Sequence, residues 1–437
     1  MLTNNTDIDL GTLSTGESVP LLQADRRRHV YIIGMTGTGK TGLLTNMMHA
    51  DMMAGAGFLF LDPHGDASQH VASLAPKARA KDVIYLDPSD PDYTFAYNPL
   101  AGVPQAERAT AAANIVSAFK NIWATSWGPR LEYILGNSLR LLLDTKDQTL
   151  LGLPRLLIDD DYRNWLVVRC QDPVVRSFWQ TEYAAYNARF RNEAIAPIQN
   201  KIGALLANPF LRSILCQNSS TLNIPEAMNA GKVVIVNLSK GNLGAEPAHL
   251  LGALLITACA QAAEARRHMP EHERRDFTLY ADEFQNFATE SFASILSEAR
   301  KWRLSLVAAN QQIAQLPDAL QHAVFGNAGT LIAFRVGSLD AKRLAGELGM
   351  ANPTALTQMN NYAAWIKLMH HGAPLPARHM RTFAPPPEGT RLKQVIAFAH
   401  ADHMRPRAYV EERIAAAFPK AQPKRGRHKG RRDADRV

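Results

Sequence analysis

The sequence predicts an α/β fold: a central, mostly parallel β-sheet flanked by helices, with an all-helical domain inserted into it. Three observations carry this. An apolar run, Val30–Ile33, enters a glycine-rich turn that opens an amphipathic helix. Further short apolar runs of strand type recur before residue 105 and after residue 228, separated by helical stretches. Between them, residues 105–228 place apolar residues three or four apart, the helical period.

The turn after Val30–Ile33 reads Gly34-x-x-x-x-Gly39-Lys40-Thr41, the phosphate-binding loop pattern. Glycines at 34, 37 and 39 are expected to take positive φ and bring several N–H groups onto one concave surface. The helix that follows points its positive end at the same spot. Gly34, Met35, Thr36, Gly37, Thr38, Gly39, Lys40 and Thr41 are therefore the expected nucleotide cradle. Lys40 is expected to reach the β/γ-phosphates and the Thr41 hydroxyl to ligate Mg²⁺.

At 437 residues the chain is long enough for two or three domains. Cys170, Cys216 and Cys259 stand far apart without metal-ligand spacing, which points to a reducing compartment and to buried small side chains. Residues 1–20 are polar and lack the apolar core of a signal peptide. The longest apolar run, Leu250–Ala263, is expected to be a buried core helix, because about 14 residues fall short of a membrane span. These readings place the chain in the cytoplasm, or at a membrane only through partners. The net charge of +8 is concentrated: Lys420 to Arg436 carries eight Lys/Arg against two Asp, so the rest of the chain is close to neutral. That tail reads as a polyanion-binding arm or a solvated end.

In chain order, residues 1–24 read as a polar lead-in, and Asp25–His29 (DRRRH) as a solvated entrance to the first strand or as arginines that face DNA. Phe58–Leu61 is a buried strand that ends in the turn Asp62-Pro63-His64-Gly65-Asp66. Ligands of open α/β sheets sit beyond the carboxyl ends of the strands, so Asp62 and His64 lie beside the phosphates or form a helix-capping turn. Asp82–Asp87 is a further strand. The helical block contains Ala109–Trp123, Arg130–Leu143 and Ile195–Leu206, with Trp123, Trp127, Trp165 and Trp179 read as buried packing anchors.

Strands resume at Lys232–Leu238 and Phe277–Phe284, the latter running into Asp282-Glu283. Adjacent carboxylates at a strand end suit nucleotide hydrolysis: Asp282 for the Mg²⁺ water shell, Glu283 to polarise the attacking water. A helix over Ser291–Lys301 precedes the strand Leu304–Ala309, whose tip, Asn310-Gln311-Gln312, offers Gln311 as a γ-phosphate sensor. Thr330–Val336 and Tyr362–Met369 are the last strands expected. Three prolines within Ala384–Gly389 are expected to end the globular body, and an amphipathic segment, Tyr409–Phe418, precedes the tail. The expected organisation is a lead-in (1–24), a discontinuous nucleotide-binding domain (25–104 and 229–383), a helical insertion (105–228) and a C-terminal extension (384–437).

These stretches together resemble the HerA/FtsK superfamily of hexameric translocating ATPases, and among them the type IV secretion coupling proteins of conjugative DNA transfer. The residues that carry the resemblance are GMTGTGKT (34–41), LDPHGD (61–66), YNPL (97–100), SWGPRLEYIL (126–135), VNLSKG (236–241), YADEFQNF (280–287), AANQQIAQLP (308–317) and NAGTLIAFRVGSLDA (327–341). The resemblance implies a RecA-like P-loop NTPase core, ATP and Mg²⁺ as cofactors, and a hexameric ring as the working form. It implies Walker A roles for Lys40 and Thr41, Walker B roles for Asp282 and Glu283, and the sensor role for Gln311. It assigns Arg300 to a neighbouring subunit's site, with Arg303 and Arg335 as rivals. It implies DNA and the secretion and relaxosome proteins as partners. Coupling proteins usually carry N-terminal transmembrane helices, so a separate membrane-anchoring partner, or a soluble variant, is expected here.

Other motors share such a site: a HerA-like DNA-processing translocase, or an ATPase that moves protein. A different class is a nucleotide-gated adaptor that recruits cargo with little turnover. Under the DNA reading, deleting residues 420–437 weakens DNA binding and flattens its salt dependence, because fewer counterions are released. Unchanged affinity across a salt series would make the tail a solvated end.

Overall fold

Apolar runs without alternation form strands buried on both faces, as a parallel sheet between helix layers requires. The computed structural model describes residues 7–287 and 296–417 and gathers eleven strands into one sheet. They are β1 (Ile8–Leu13), β2 (Ser18–Leu21), β3 (Val30–Ile33), β4 (Gly57–Asp62), β5 (Val83–Leu86) and β6 (Val233–Asn237). They continue as β7 (Phe277–Ala281), β8 (Leu304–Asn310), β9 (Thr330–Ala333), β10 (Ala363–Lys367) and β11 (Arg378–Thr382). The order across the sheet is β2-β1-β11-β10-β9-β3-β8-β7-β4-β6-β5.

From β9 to β5 every neighbouring pair is parallel. On the other side β10, β11, β1 and β2 continue the sheet antiparallel. Every residue of β3 through β9 is buried. Because the parallel strands share a direction, their carboxyl ends form one edge. There Ile33 pairs with Asn310, Ala308 with Ala281, and Ala281 with Leu61. The loop strand β3 and the Asp282 strand β7 are separated by one strand, β8, which ends next to Gln311.

The described elements from 105 to 228 are helical, including Arg108–Ile122, Pro129–Leu143 and Ala188–Ala207. Trp123 and Trp179 are buried there, and Trp127 is partly buried. Trp165 departs from the expectation: it is 41% exposed, with the Arg169 guanidinium over its ring. The apolar run Leu250–Ala263 lies in a helix, Ala245–Ala265, longer than expected. Counted to His268, this helix is long and apolar enough to cross a membrane, but 67% of its most apolar window is buried inside the protein. All three cysteines are free, and burial raises each thiol to about 12.

Three expectations are corrected. Residues 8–21 are not a lead-in but the hairpin β1–β2, which joins the sheet through β11. The proline run does not end the globular body. Beyond it, helix Leu392–His403 packs against β5 and against helix Asp66–Ser73. Strand Met404–Pro406 then pairs with Tyr93–Phe95, and the Arg407 guanidinium donates to the carbonyls of Pro88, Asp90 and Tyr93. Of the expected helix Ser291–Lys301, residues 291–295 lie outside the described residues, residues 296–298 are helical, and Ala299–Trp302 is a short 3₁₀ turn. The basic tail, 420–437, also lies outside them.

Nor is Asp25–His29 a solvated entrance. Arg26 is fully buried and makes a bidentate pair with Asp51, at 2.7 and 2.5 Å. Tyr280 and Thr278 complete the network. The Asp51 carboxylate holds the buried guanidinium charged, against the opposing effect of burial. His29 Nε2 donates to the Leu296 carbonyl and Nδ1 accepts from Leu306 N–H; burial pushes its imidazole down to about 4. Removing one member of a buried pair leaves the other uncompensated. Asp51→Ala is therefore expected to cost about 3–5 kcal/mol in urea unfolding. A loss under 1 kcal/mol would show that water replaces the partner.

Candidate active site

The phosphate-binding loop spans Gly34 to Thr41, between β3 and the helix Lys40–Ala54. That helix buries one face, Leu43, Leu44, Met47, Met48, Asp51 and Met52, so its first turn is held at the sheet edge. Gly37 and Gly39 take positive φ, 76° and 118°. Gly34 does not, which corrects one part of the sequence reading. It is needed for space instead: a Cβ there would lie 2.5 Å from the Phe334 Cβ. The Met35 N–H is taken by the Arg335 carbonyl, so it is not free for a phosphate. The N–H groups of residues 36–39 have no backbone carbonyl partner among the described residues.

Lys40 is buried and donates to the carbonyls of Gly34 and Met35, at 2.7 and 3.2 Å. Burial lowers its ammonium below the usual lysine range, opposed by the Asp282 and Glu283 carboxylates. The Thr41 hydroxyl donates to Asp282 Oδ2 at 3.0 Å, which brings the two expected Mg²⁺ residues together. Glu283 follows in the left-handed region, φ 48°, an unusual conformation for a non-glycine residue. Its Oε1 accepts from Gln311 Nε2 at 2.6 Å, joining the carboxylate to the strand-tip amide. Lys40, Thr41, Asp282, Glu283 and Gln311 thus meet at one edge of the sheet.

Three further residues escaped the sequence reading. Gln285 donates to Glu283 Oε2 at 2.6 Å. Asn286 donates to the Glu283 carbonyl at 2.9 Å, and Lys240 donates to Asn286 Oδ1 at 2.9 Å. Gln285 and Asn286 immediately follow the carboxylate pair, a signal available in DEFQN. Lys240 opens the short helix Lys240–Leu243 after β6, and only the fold brings it here. Asp62 takes the capping role: its oxygens accept from His64 N–H and Ser68 N–H, and His64 is exposed.

The three arginines are sorted by position. Arg303 pairs with Glu271 and Asp276. Arg335 adjoins the chain's own loop and donates to the Met359 carbonyl and Asn361. Arg300 is exposed and lines a 270 Å³ cavity with Arg28, His29 and Gly329, at the amino ends of β3 and β9. Its side chain has no hydrogen-bond or ion-pair partner among the described residues. It therefore lies on the sheet edge opposite its own loop.

Burial, and next the neighbouring Glu283, raise the Asp282 carboxyl above its ordinary 3.8, against the opposing effects of Thr41 and Lys40. A raised folded-state value means the neutral form favours folding. That contribution is complete below pH 3.8 and fades as pH rises through the raised value. Asp282→Asn is accordingly expected to stabilise the nucleotide-free protein at pH 7 and to flatten its acid-side stability profile. Thermal unfolding from pH 4 to 8 measures this; an unchanged profile would mean that the carboxylate is already compensated.

Residues 13–364 match the family described as the type IV secretion-system coupling protein DNA-binding domain. The chain belongs to that family. Among solved structures, the bacterial conjugative coupling protein TrwB, lacking its first 70 residues, is similar over 88% of this chain and 90% of its own (TM-score 0.63, 15% identity). VirB4 of Thermoanaerobacter pseudethanolicus is similar over 87% and 96% (TM-score 0.59, 14% identity). TrwB has also been solved in complex with ADP and Mg²⁺. At these identities the likeness shows the fold alone: a large, mostly parallel sheet flanked by helices, with a helical block. The type 4 coupling protein DotL of Legionella pneumophila is 39% identical over 54 residues, 12% of this chain and 7% of DotL. The chain thus spans only a small part of the curated relative it matches.

Proposed function

We propose that this coupling protein binds ATP with Mg²⁺ and hydrolyses it to move DNA through a ring of its own copies, a hexamer, at a conjugative or type IV secretion apparatus. The observation that supports this best is the chain of contacts Thr41–Asp282 and Glu283–Gln311 at the edge of the phosphate-binding loop. TrwB, similar in fold, has been solved in complex with ADP and Mg²⁺, which supports the same cofactors here.

The residues fit Mg²⁺. No group of three or more His, Cys, Asp or Glu among the described residues could hold a metal unaided. Thr41 would ligate Mg²⁺ and Asp282 would hold its water shell, a donor set of oxygens that suits this ion. Mg²⁺, when bound, neutralises charge on the β/γ-phosphates. The chain supplies the rest. Lys40 leaves the Gly34 and Met35 carbonyls for the phosphates, and its buried setting strengthens that attraction. Glu283 orients and polarises the attacking water, and Gln311 links its position to the γ-phosphate. Arg300 completes the site of a neighbouring copy.

The helical block faces cargo and accessory proteins in this reading, and membrane attachment comes through partners at the inner membrane. The test is ATP turnover with and without DNA at low salt. Turnover that rises with DNA supports the reading. DNA-independent turnover together with no DNA affinity would overturn DNA as cargo, and cargo crosslinking that recovers only protein would favour protein secretion.

A further inference from the structure

Both oxygens of the Glu283 carboxylate are occupied by side-chain amides. Gln311 donates to Oε1 and Gln285 to Oε2, each at 2.6 Å. Gln285 is itself held, because Asn310 Nδ2 donates to Gln285 Oε1 at 2.6 Å. Asn310 is wholly buried at the end of β8, and its own Oδ1 is buried without any hydrogen-bond partner. Buried amide oxygens are rarely left so, since the lost hydration is uncompensated.

We infer that Gln285 is a positioning residue with two stations, one that restrains Glu283 and one that frees it. In the first, seen here, Nε2 donates to Glu283. In the second, Nε2 turns to the vacant Asn310 Oδ1 and, with the existing Asn310 Nδ2–Oε1 bond, closes a reciprocal pair of amides. The exchange conserves the number of hydrogen bonds. It gives up a charge-assisted bond and satisfies a buried oxygen, so neither station is strongly preferred. In the first station the amide competes with water for a carboxylate lone pair; in the second that lone pair is open.

Asn310 also links the exchange to the nucleotide. Its main-chain carbonyl accepts from Gly34 N–H at 3.2 Å, the first residue of the phosphate-binding loop. Filling the loop therefore acts on the residue that offers the second station. On the proposed function, in which DNA raises turnover, the expected result is low turnover until the loop and the cargo are both engaged.

This inference rests on Glu283 being the base, and the experiment separates the two. Gln285→Leu and Gln285→Met remove the restraint; Met keeps the side-chain length, and binding of a non-hydrolysable ATP analogue reports folding. Turnover at saturating ATP without DNA is expected to rise roughly five- to tenfold, with KM for ATP unchanged. The DNA-stimulated rate stays as in wild type, so the stimulation ratio contracts. A purely structural role would lower turnover instead. Analogue-binding variants whose DNA-free turnover is unchanged or reduced, beside an inactive Glu283→Gln, would overturn the restraint alone. A Glu283→Gln protein that still turns over would overturn the base assignment and this inference with it.

Discussion

Glu283→Gln is expected to lower ATP turnover by about 10²- to 10⁴-fold while ATP binding survives. The substitution keeps the size of the side chain and removes its charge, and with it the ability to take a proton. The surroundings tolerate the change. Glu283 already accepts from the two amides of Gln311 and Gln285, and Gln311 can turn over to present its carbonyl to the new amide. Lys40, Thr41 and Asp282, which hold the nucleotide in the proposed site, are untouched. The measurement is steady-state turnover beside equilibrium binding of an ATP analogue. Retained turnover would rule out Glu283 as base, and wild-type turnover already as low as the variant's would favour a cargo-recruiting adaptor. Loss of analogue binding would show that the carboxylate shapes the loop.

Arg300→Ala is expected to reduce turnover about 10³-fold, the lower end of what an arginine supplied in trans contributes. Arg300 sits beside His29 and Gly329, at the start of β3 and β9, whereas the loop leaves the far end of β3. Four residues of strand place about 13 Å between those ends, so the guanidinium faces away from its own site. A second copy is the natural target for an exposed arginine so placed. Arg303 and Arg335 are committed to carboxylates and carbonyls within the chain. Mixing subunits decides the matter. Arg300→Ala protein retains Glu283, and Glu283→Gln protein retains Arg300. If the site is shared, a mixture of the two inactive proteins recovers activity. No recovery in mixed rings would place the arginine's action within one chain.

The helical block and the sheet strands were legible because their signals are local. Val30–Ile33 and Phe277–Ala281 are apolar runs of strand length, and Arg108–Ile122 repeats its apolar residues every three or four positions. The lead-in and the C-terminal extension were misread because their strands and helices gain burial only from distant partners. Ile8–Leu13 is stabilised by Arg378–Thr382, and Leu392–His403 by Val83–Leu86. Asp25–His29 was misread for a related reason: a run of charges looks solvated unless its counter-ions, Asp51 and Asp276, are known to be near.

By itself the sequence determined that a loop for a triphosphate exists, that a carboxylate pair and a strand-tip glutamine accompany it, and that the chain joins an α/β core to a helical block. Those features are written in residues adjacent along the chain, where backbone geometry dictates spacing. Only the tertiary structure decided that Thr41 meets Asp282, that Gln311 and Gln285 share Glu283, that Lys240 stands behind Asn286, and that Arg300 lies on the opposite edge of the sheet. Each of those depends on strand order. With β8 between β3 and β7, residues more than 200 positions apart come within 3.0 Å, a juxtaposition that no local spacing encodes.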